Sequence, residues 1–534
     1  MSSAFTTLAI SGVVAVVIAA FLRQRGWSMS LPLIGAGFLL GIAPFGPNEV
    51  PDPEIILVAV LAPLVFGEAL GSSYLDLRKV ARPVFVLAIG LVIFSTFAVG
   101  FVGYWVAALP IAVAMALGAV LAPTDAVSVG TIAKRASLPR RLVSILEGES
   151  LVNDGTGLTA LKVAIVAAIA GSITVGEVAI DFSLAVFVGV GVGLFSGWIM
   201  GRLLRHSHDL VPANSLIIVA PFLVYIAAEA AQGSGILAIV VAGLFVAHRQ
   251  NSEPGAAGRV QSAVVWRHLT FILQALAFFL IGLQIPEVLG RLKTSEIHSA
   301  LILTAAVVAT LIITRAVFVF AMVGVTRLTK SPVARHATFG REAAIMAWAG
   351  ARGPISGLAA FSIPLVTLVG DPFPNRDLIL AVSFLVIVIT LILAETLGPM
   401  ARMLKIPVDD DTAEIARVQG MLAKAALIRL DTALEEFTQA GTPLSPEDAE
   451  TLRRDREKQL LRSSSAQESA QESVPPVTAE LEMSQMLNLA VSMVHAEQEE
   501  LIRLRDSDGL PDSIARPLLR ELDSREQALV RQIR

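Results

Sequence analysis

Cysteine is absent from all 534 residues, which excludes disulfides and thiolate metal sites. Charge is scarce as well. Asp, Glu, Lys and Arg make up 16% of the chain, against about 25% in soluble proteins, and they are thin up to about residue 402 and dense afterwards. No phosphate-cradling GxxxxGK[ST] motif occurs, so a nucleotide-driven pump has no support. The net charge of −4 is too small to imply a polyanionic partner, nucleic acid included. The histidines (His206, His208, His248, His268, His298, His336 and His495) lie in loops, near helix ends or in the tail, without metal-ligand spacing. A pH-sensing role is the lesser reading for them. A basic n-region is missing too: Arg23 and Arg25 follow the first apolar run. That run reads as a membrane helix starting outside, not as a cleaved signal peptide.

What the chain has is apolar sequence: 54% hydrophobic residues and a mean hydropathy of +0.71. This composition specifies a polytopic membrane domain over residues 1–402 and a soluble tail over 403–534. Apolar runs of spanning length fall near 5–22, 29–44, 54–71, 83–107, 111–133, 140–170, 183–204, 212–230, 235–248, 268–285, 299–325, 341–364 and 377–401, about thirteen transmembrane helices in an all-α protein. Loops after odd-numbered runs collect the basic residues, for example Arg78, Lys79 and Arg82, or Lys134, Arg135, Arg140 and Arg141. Loops after even-numbered runs hold only Arg291, Lys293 and Arg376. The asymmetry places the N-terminus outside and the tail in the cytoplasm.

The run Arg140–Ala170 breaks the pattern, because Glu147, Glu149, Ser150, Asn153 and Asp154 crowd into two turns. Asp154 lies about 21 Å along the helix from Arg140, near the middle of a ~30 Å hydrocarbon layer. A charge there costs roughly 2.5–3.5 kcal/mol or more, so it must face protein or water. Ser150 and Asp154 are four apart, as are Glu149 and Asn153, which gathers the polar atoms into one stripe. A polar patch that merely glues helices needs fewer such groups.

Two other runs are interrupted. In LAPTDAVSVG, Pro123 cannot donate a backbone hydrogen bond, just before Thr124 and Asp125; in AWAGARGPISG, Gly350, Gly353, Pro354 and Gly357 flank Arg352. With the seventh run as a linker, thirteen spans divide as six, one and six. The broken helices are then each the fifth of their half, as inverted repeats with two crossed discontinuous helices require. Asp125 and Arg352 can offset the exposed half-helix dipoles, or can touch a substrate. Thr124 offers a carbonyl and a hydroxyl to a cation. Asp154 can hold either a proton or a cation, since both compete for the same oxygens. Glu68 is a second carboxylate, nearer the cytoplasmic end. Arg352 stays charged and is expected to pair with Glu149, steadied by Asn153. One exchangeable carboxylate means one proton for one monovalent cation.

The segments APTDAV, EGESLVNDG and GARGPISG resemble the sodium/proton exchangers of the monovalent cation/proton antiporter superfamily, in the NhaP/NHE-type branch. The resemblance spans residues 1–400. It implies a homodimer, a six-helix core, alternating access, and a multi-pass inner-membrane location without a cofactor. By position, Asp154 matches the ion- and proton-binding aspartate, and Asn153 before it marks the electroneutral branch. Ser150, Glu68 and the Thr124 backbone match further sodium ligands, and Glu149 with Arg352 the structural ion pair. Gln274 and Glu395 depart from the family pattern, which bears on cation preference and pH response.

Of the remaining polar residues in spans, Lys162 is expected to snorkel outward in preference to pairing with Glu229. Glu229 reads as solvated, Glu147 as lining the cytoplasmic entrance, and Arg315 as an interhelical pairing residue. The tail reads as helices over 411–439, 445–462, 476–507 and 511–533, with Ser445 an N-cap and 462–476 a flexible hinge. A regulatory or dimer-stabilising role suits it better than sensing a nucleotide or lipid. The reading is therefore a carrier exchanging sodium and lithium for protons. Its rivals are a potassium or mixed-cation exchanger, a sensor acting through the tail, and, disfavoured by the crossed breaks, a channel.

Overall fold

A computed structural model of the chain describes residues 3–43, 57–136, 138–170, 175–206, 210–252, 256–328, 339–367, 370–407, 411–439, 480–507 and 509–533, with isolated positions between 450 and 457. Apart from those positions, the expected helix 445–462 with its Ser445 cap and the 462–476 hinge lie outside the described residues, as do His208 and His336. Among the described residues the fold is helical, with a single isolated bridge between Val366 and Pro372. Hydrocarbon offers no partner for a backbone N–H or C=O, so a spanning segment must satisfy its own.

The chain forms two compact units, 1–247 with 266–408, and 248–265 with 409–534. The elements of the apolar part are α1 (Ser3–Gln24), α2 (Ser30–Ile42), a π-helical turn Leu57–Leu61 entering α3 (Ala62–Gly71), α4 (Tyr74–Lys79), α5 (Ala81–Ala107), α6 (Ile111–Leu121), α7 (Ala126–Arg135), α8 (Arg140–Ala170), α9 (Val175–His206), α10 (Leu210–Ala230), α11 (Gly235–Ser252), α12 (Ala256–Arg291), α13 (Thr294–Leu328), α14 (Phe339–Trp348), α15 (Pro354–Phe361), α16 (Arg376–Glu395) and α17 (Leu397–Met403). Helix therefore occupies each apolar run read from the sequence. Among the described residues, seven helices are long and apolar enough to cross a membrane, and five shorter apolar ones accompany them. The segment 248–265, which holds the end of α11 and the start of α12, groups with 409–534.

Helices α2 and α12 meet backbone to backbone. A Cβ at Gly37 would stand 2.1 Å from the Phe279 carbonyl oxygen, and one at Gly282 would stand 2.0 Å from that of Ile34. A backbone clash cannot be relieved by a rotamer change. Gly282→Val should therefore lose most of the folded, monodisperse protein on size-exclusion chromatography. Gly35→Val, with nothing within 4 Å of the added Cβ, should elute as the unsubstituted chain does.

The second unit contains α18 (Thr412–Gln439), α19 (Glu480–Asp506) and α20 (Asp512–Ile533). Their apolar stripes close on one another, with Val418 and Leu422 of α18 against Val494, Leu501 and Leu504 of α19 and Ile514, Leu518 and Leu522 of α20. Gly509, at φ 72°, makes the left-handed turn between α19 and α20, and the Leu510 N–H donates back to the Leu504 carbonyl at 3.2 Å.

Candidate functional site

Two interruptions and one helix build the site. Helix α6 stops at Leu121, and α7 restarts at Ala126 with Asp125 as its cap, the Ser128 N–H donating to Asp125 Oδ2 at 3.0 Å. Helix α14 stops at Trp348, and α15 restarts at Pro354 after Gly353 in an extended conformation. The two open stretches touch: the Asp125 N–H donates to the Ala351 carbonyl at 2.9 Å. Gly353 is needed there, because a Cβ at that position would lie 2.2 Å from Asp125 Cγ. Helix α8 packs onto the first break through Gly157, where a Cβ would lie 2.2 Å from Pro123 Cγ.

Arg352, 3% exposed, serves the carbonyls that the breaks expose. Its Nε donates to the Leu121 carbonyl at 2.8 Å, its Nη1 to the Gly350 carbonyl, and its backbone N–H to Thr390 Oγ1 at 3.1 Å. A cation here offsets the negative C-terminal end of α6 as Asp125 offsets the positive N-terminal end of α7. The expected Arg352–Glu149 pair is not formed. Glu149 is held by Arg315 of α13 through a two-pronged contact, Nη1 to Oε1 at 2.5 Å and Nη2 to Oε2 at 2.9 Å, both side chains 2% exposed. The reason is geometric: the guanidinium of Arg352 is committed to helix-end carbonyls, whereas the Arg315 fork faces the Glu149 carboxylate squarely.

Three of the side chains read from the sequence, Glu149, Ser150 and Asn153, meet at Thr124. Its hydroxyl accepts from Asn153 Nδ2 at 2.9 Å and lies 3.2 Å from Ser150 Oγ and 3.3 Å from Glu149 Oε1. Thr124, Asp125, Glu149, Ser150, Asn153 and Asp154 are all buried. Asn153 Oδ1 is buried without a partner, and the buried Glu68 carboxylate has Gln274 beside it. Glu68 and Asp125 are the charges acting on Asp154. A buried acceptor left unmatched is costly, and carboxylate, hydroxyl and amide oxygens are the donors that a dehydrated alkali cation takes. Among the described residues no three His, Cys, Asp or Glu side chains could hold a metal ion. A ligand set here must therefore include hydroxyl, amide or backbone oxygens.

A cleft of about 470 Å³ lies beside the site. Ser128 and Gln274, neighbours of Asp125 and Glu68, lie along it, and so do Arg23 and Arg267. Arg23 stacks on the Phe271 ring, 5.3 Å from its centroid. Ser30 Oγ and Ser128 Oγ meet at 3.3 Å. Of the two departures from the family pattern, Gln274 is part of this region and Glu395 is exposed at the end of α16.

Lys162 is a further correction. It does not snorkel but pairs with Glu229, Nζ to Oε2 at 2.6 Å, because the α10–α11 turn lies within reach of its side chain. Arg315, singled out as a pairing residue, has its partner in Glu149. Thr390, whose hydroxyl accepts from the Arg352 N–H, was not singled out at all, since a lone hydroxyl in a membrane helix carries no sequence signal of its own.

Interrupted helices that touch at their breaks beside buried carboxylates define a class, the membrane carriers built on discontinuous helices. Residues 10–402 match the family model described as sodium/hydrogen exchanger, transmembrane. The chain belongs to this sodium/hydrogen exchanger family. It is 33% identical over 423 residues to a sodium, potassium, lithium and rubidium/H+ antiporter of Bacillus pumilus, covering 76% of this chain and 63% of that protein, which is under two thirds of its length. It is 32% identical over 449 residues to an uncharacterized Na+/H+ exchanger of Mycobacterium tuberculosis, covering 81% of each. Its fold is similar to that of the sodium proton antiporter MjNhaP1 from Methanocaldococcus jannaschii, with a TM-score of 0.60 at 21% identity, over 75% of this chain and 98% of the other.

Proposed function

We propose that the protein exchanges sodium, and lithium, for protons across the cell membrane, one for one, with Asp154 as the shared carboxylate. The observation that carries this reading is the meeting of the Thr124 hydroxyl with Ser150 and Asn153 where two broken helices touch, on the helix that also carries the buried Asp154 one turn beyond Ser150. In the cycle, a cation entering by the cleft displaces the proton from Asp154 and takes neutral oxygens from Ser150 and Thr124. Either cargo neutralises the same carboxylate, so the loaded site is uncharged both ways and can change sides at little electrostatic cost. Glu149 takes no part in the exchange, its charge being matched by Arg315.

The rest of the reading follows from this. Thirteen crossings in a six, one and six arrangement place the N-terminus outside and the tail, from residue 403, in the cytoplasm. The carrier works as a homodimer by alternating access, without a cofactor. Proteoliposomes test the proposal: an imposed sodium gradient should move protons, and collapsing the membrane potential with valinomycin and potassium should leave the rate unchanged. A potential-dependent rate would overturn the one-for-one stoichiometry, and an absence of flux would favour a sensor.

A broader cation preference is the second reading, favoured by the name of the Bacillus pumilus relative, which includes potassium and rubidium. Neutral oxygens and a carboxylate set no sharp size limit. Replacing sodium by potassium in the same vesicles, with the potential clamped independently, decides it: comparable proton movement would establish the mixed-cation exchanger.

A further inference from the structure

The mechanism makes no use of a cluster on α8 beyond Asp154. Thr159 and Lys162 lie five and eight residues further along the helix, about 7.5 and 12 Å from Asp154. Thr159 Oγ1 meets Ser234 Oγ at 2.9 Å, both residues being buried. Lys162 Nζ meets Glu229 Oε2 at 2.6 Å and the Gly233 carbonyl at 3.4 Å. The receiving surface is a preformed socket in the turn between α10 and α11. The Gly235 N–H donates to Glu229 Oε1 at 3.1 Å, the Ser234 N–H to the Ala185 carbonyl of α9 at 2.9 Å, and Gln232 takes a left-handed φ of 61°. Gly233 is pressed on α9, where a Cβ would lie 2.8 Å from the Gly189 nitrogen.

The cleft lies on the other side of the site. Ser128 and Thr131, which line it, belong to α7, which runs from the break toward Arg135 and the start of α8 at Arg140. Thr159 and Lys162 lie toward the opposite end of α8. On one face of the site therefore lies a cleft of about 470 Å³, and the opposite face is stapled to the α10–α11 turn by polar contacts. The helix that makes those contacts also carries Ser150 and Asp154, so α8 cannot move its ligands to the far side without breaking them. The Lys162 and Glu229 side chains are 42% and 32% exposed. A partly exposed ion pair is worth little, which suits a contact broken and remade in each turnover.

We propose that Thr159 and Lys162, engaging Ser234 and Glu229, form the gate that closes the site on the face opposite the cleft and that opens in every exchange cycle. This rests on the exchange reading given above. The absence of native cysteine allows a direct test, and hydroxyls in contact put the two Cβ atoms within reach of a disulfide. The double variant Thr159→Cys/Ser234→Cys, in phosphatidylethanolamine/phosphatidylglycerol vesicles, should exchange sodium for protons when reduced. It should stop when oxidised, and recover with dithiothreitol. Sodium-dependent thermal stabilisation of the oxidised protein should persist, because the cross-link leaves the cleft face of the site untouched. Exchange at an unchanged rate by fully cross-linked protein, or failure of the thiols to cross-link, overturns the gate.

A second measurement stands apart from transport. Thr159→Cys should react severalfold faster with a membrane-impermeant maleimide, added at the face opposite the cleft, when Glu229→Gln is also present. An equal labelling rate overturns the gate, even for a chain that moves no cation. A reduced double variant and an unsubstituted chain that both fail to exchange any alkali cation would instead count against the transport reading.

Discussion

Asp154→Asn should bring sodium/proton exchange down to the level of protein-free vesicles while leaving the melting temperature of the purified protein unchanged. The substitution keeps the size and one hydrogen-bonding oxygen of the side chain, so packing on α8 survives. What it removes is the only group able to carry a proton one way and a cation the other in the proposed cycle. A cation at mid-depth without that counter-charge is destabilised by roughly 2.5–3.5 kcal/mol or more, which alone is about a hundredfold in occupancy. Loss of the proton partner removes what coupling remains. Glu68→Gln should behave differently, raising the apparent KM for sodium while turnover persists. If Glu68→Gln abolished exchange and Asp154→Asn did not, the carrier role would pass to Glu68.

The pH dependence follows from the same competition. Below the pH at which the carrier carboxylate titrates, each further unit of acidification should raise the apparent sodium KM by up to about tenfold, since protons and cations bind mutually exclusively. Above that pH the KM should level off and turnover should become limited by reprotonation. Ser150→Ala should raise KM across the whole range without altering this slope, because a neutral ligand does not titrate. These profiles are read from proteoliposome flux at fixed sodium and stepped pH.

Much of this architecture was legible one residue at a time. Helix α8 occupies the run Arg140–Ala170 that hydropathy marked, and Pro123 and Gly353 sit where the breaks fall. Composition and local backbone chemistry act over a few residues, and at that range the sequence is explicit. Pairing is a matter of space, and there it is not. Glu149 and Arg315 are separated by 166 positions, and two buried arginines were available to one carboxylate. Only the prior commitment of Arg352 to the Leu121 and Gly350 carbonyls decides between them. Lys162 failed for a related reason, since snorkelling and pairing differ only in where the α10–α11 turn comes to rest. The stretch between the runs 235–248 and 268–285 read as a break between spans, and nothing local tied it to the tail.

The Arg315–Glu149 pair carries the second large effect, on stability. Both groups are removed from water, and the Arg315 Nε also donates to the Met346 carbonyl at 2.8 Å, so α8, α13 and α14 are fastened at one point. Arg315→Ala would leave the Glu149 carboxylate buried without its counter-charge, a loss of about 3–5 kcal/mol. In detergent solution that should lower the melting temperature by several degrees and reduce the yield of folded protein. Arg315→Lys should recover only part of the loss, because an ammonium cannot reproduce two parallel hydrogen bonds and a third to Met346. Removing both charges together, Arg315→Met with Glu149→Leu, leaves no unmatched ion and should melt closer to the unsubstituted protein than either single variant. Thr124 would still hold Ser150 and Asn153 in that double variant, so exchange should persist at a reduced rate. A double variant as unstable as Arg315→Ala would show that the pair matters for more than charge compensation. One that kept its stability but lost all exchange would place Glu149 inside the transport step itself.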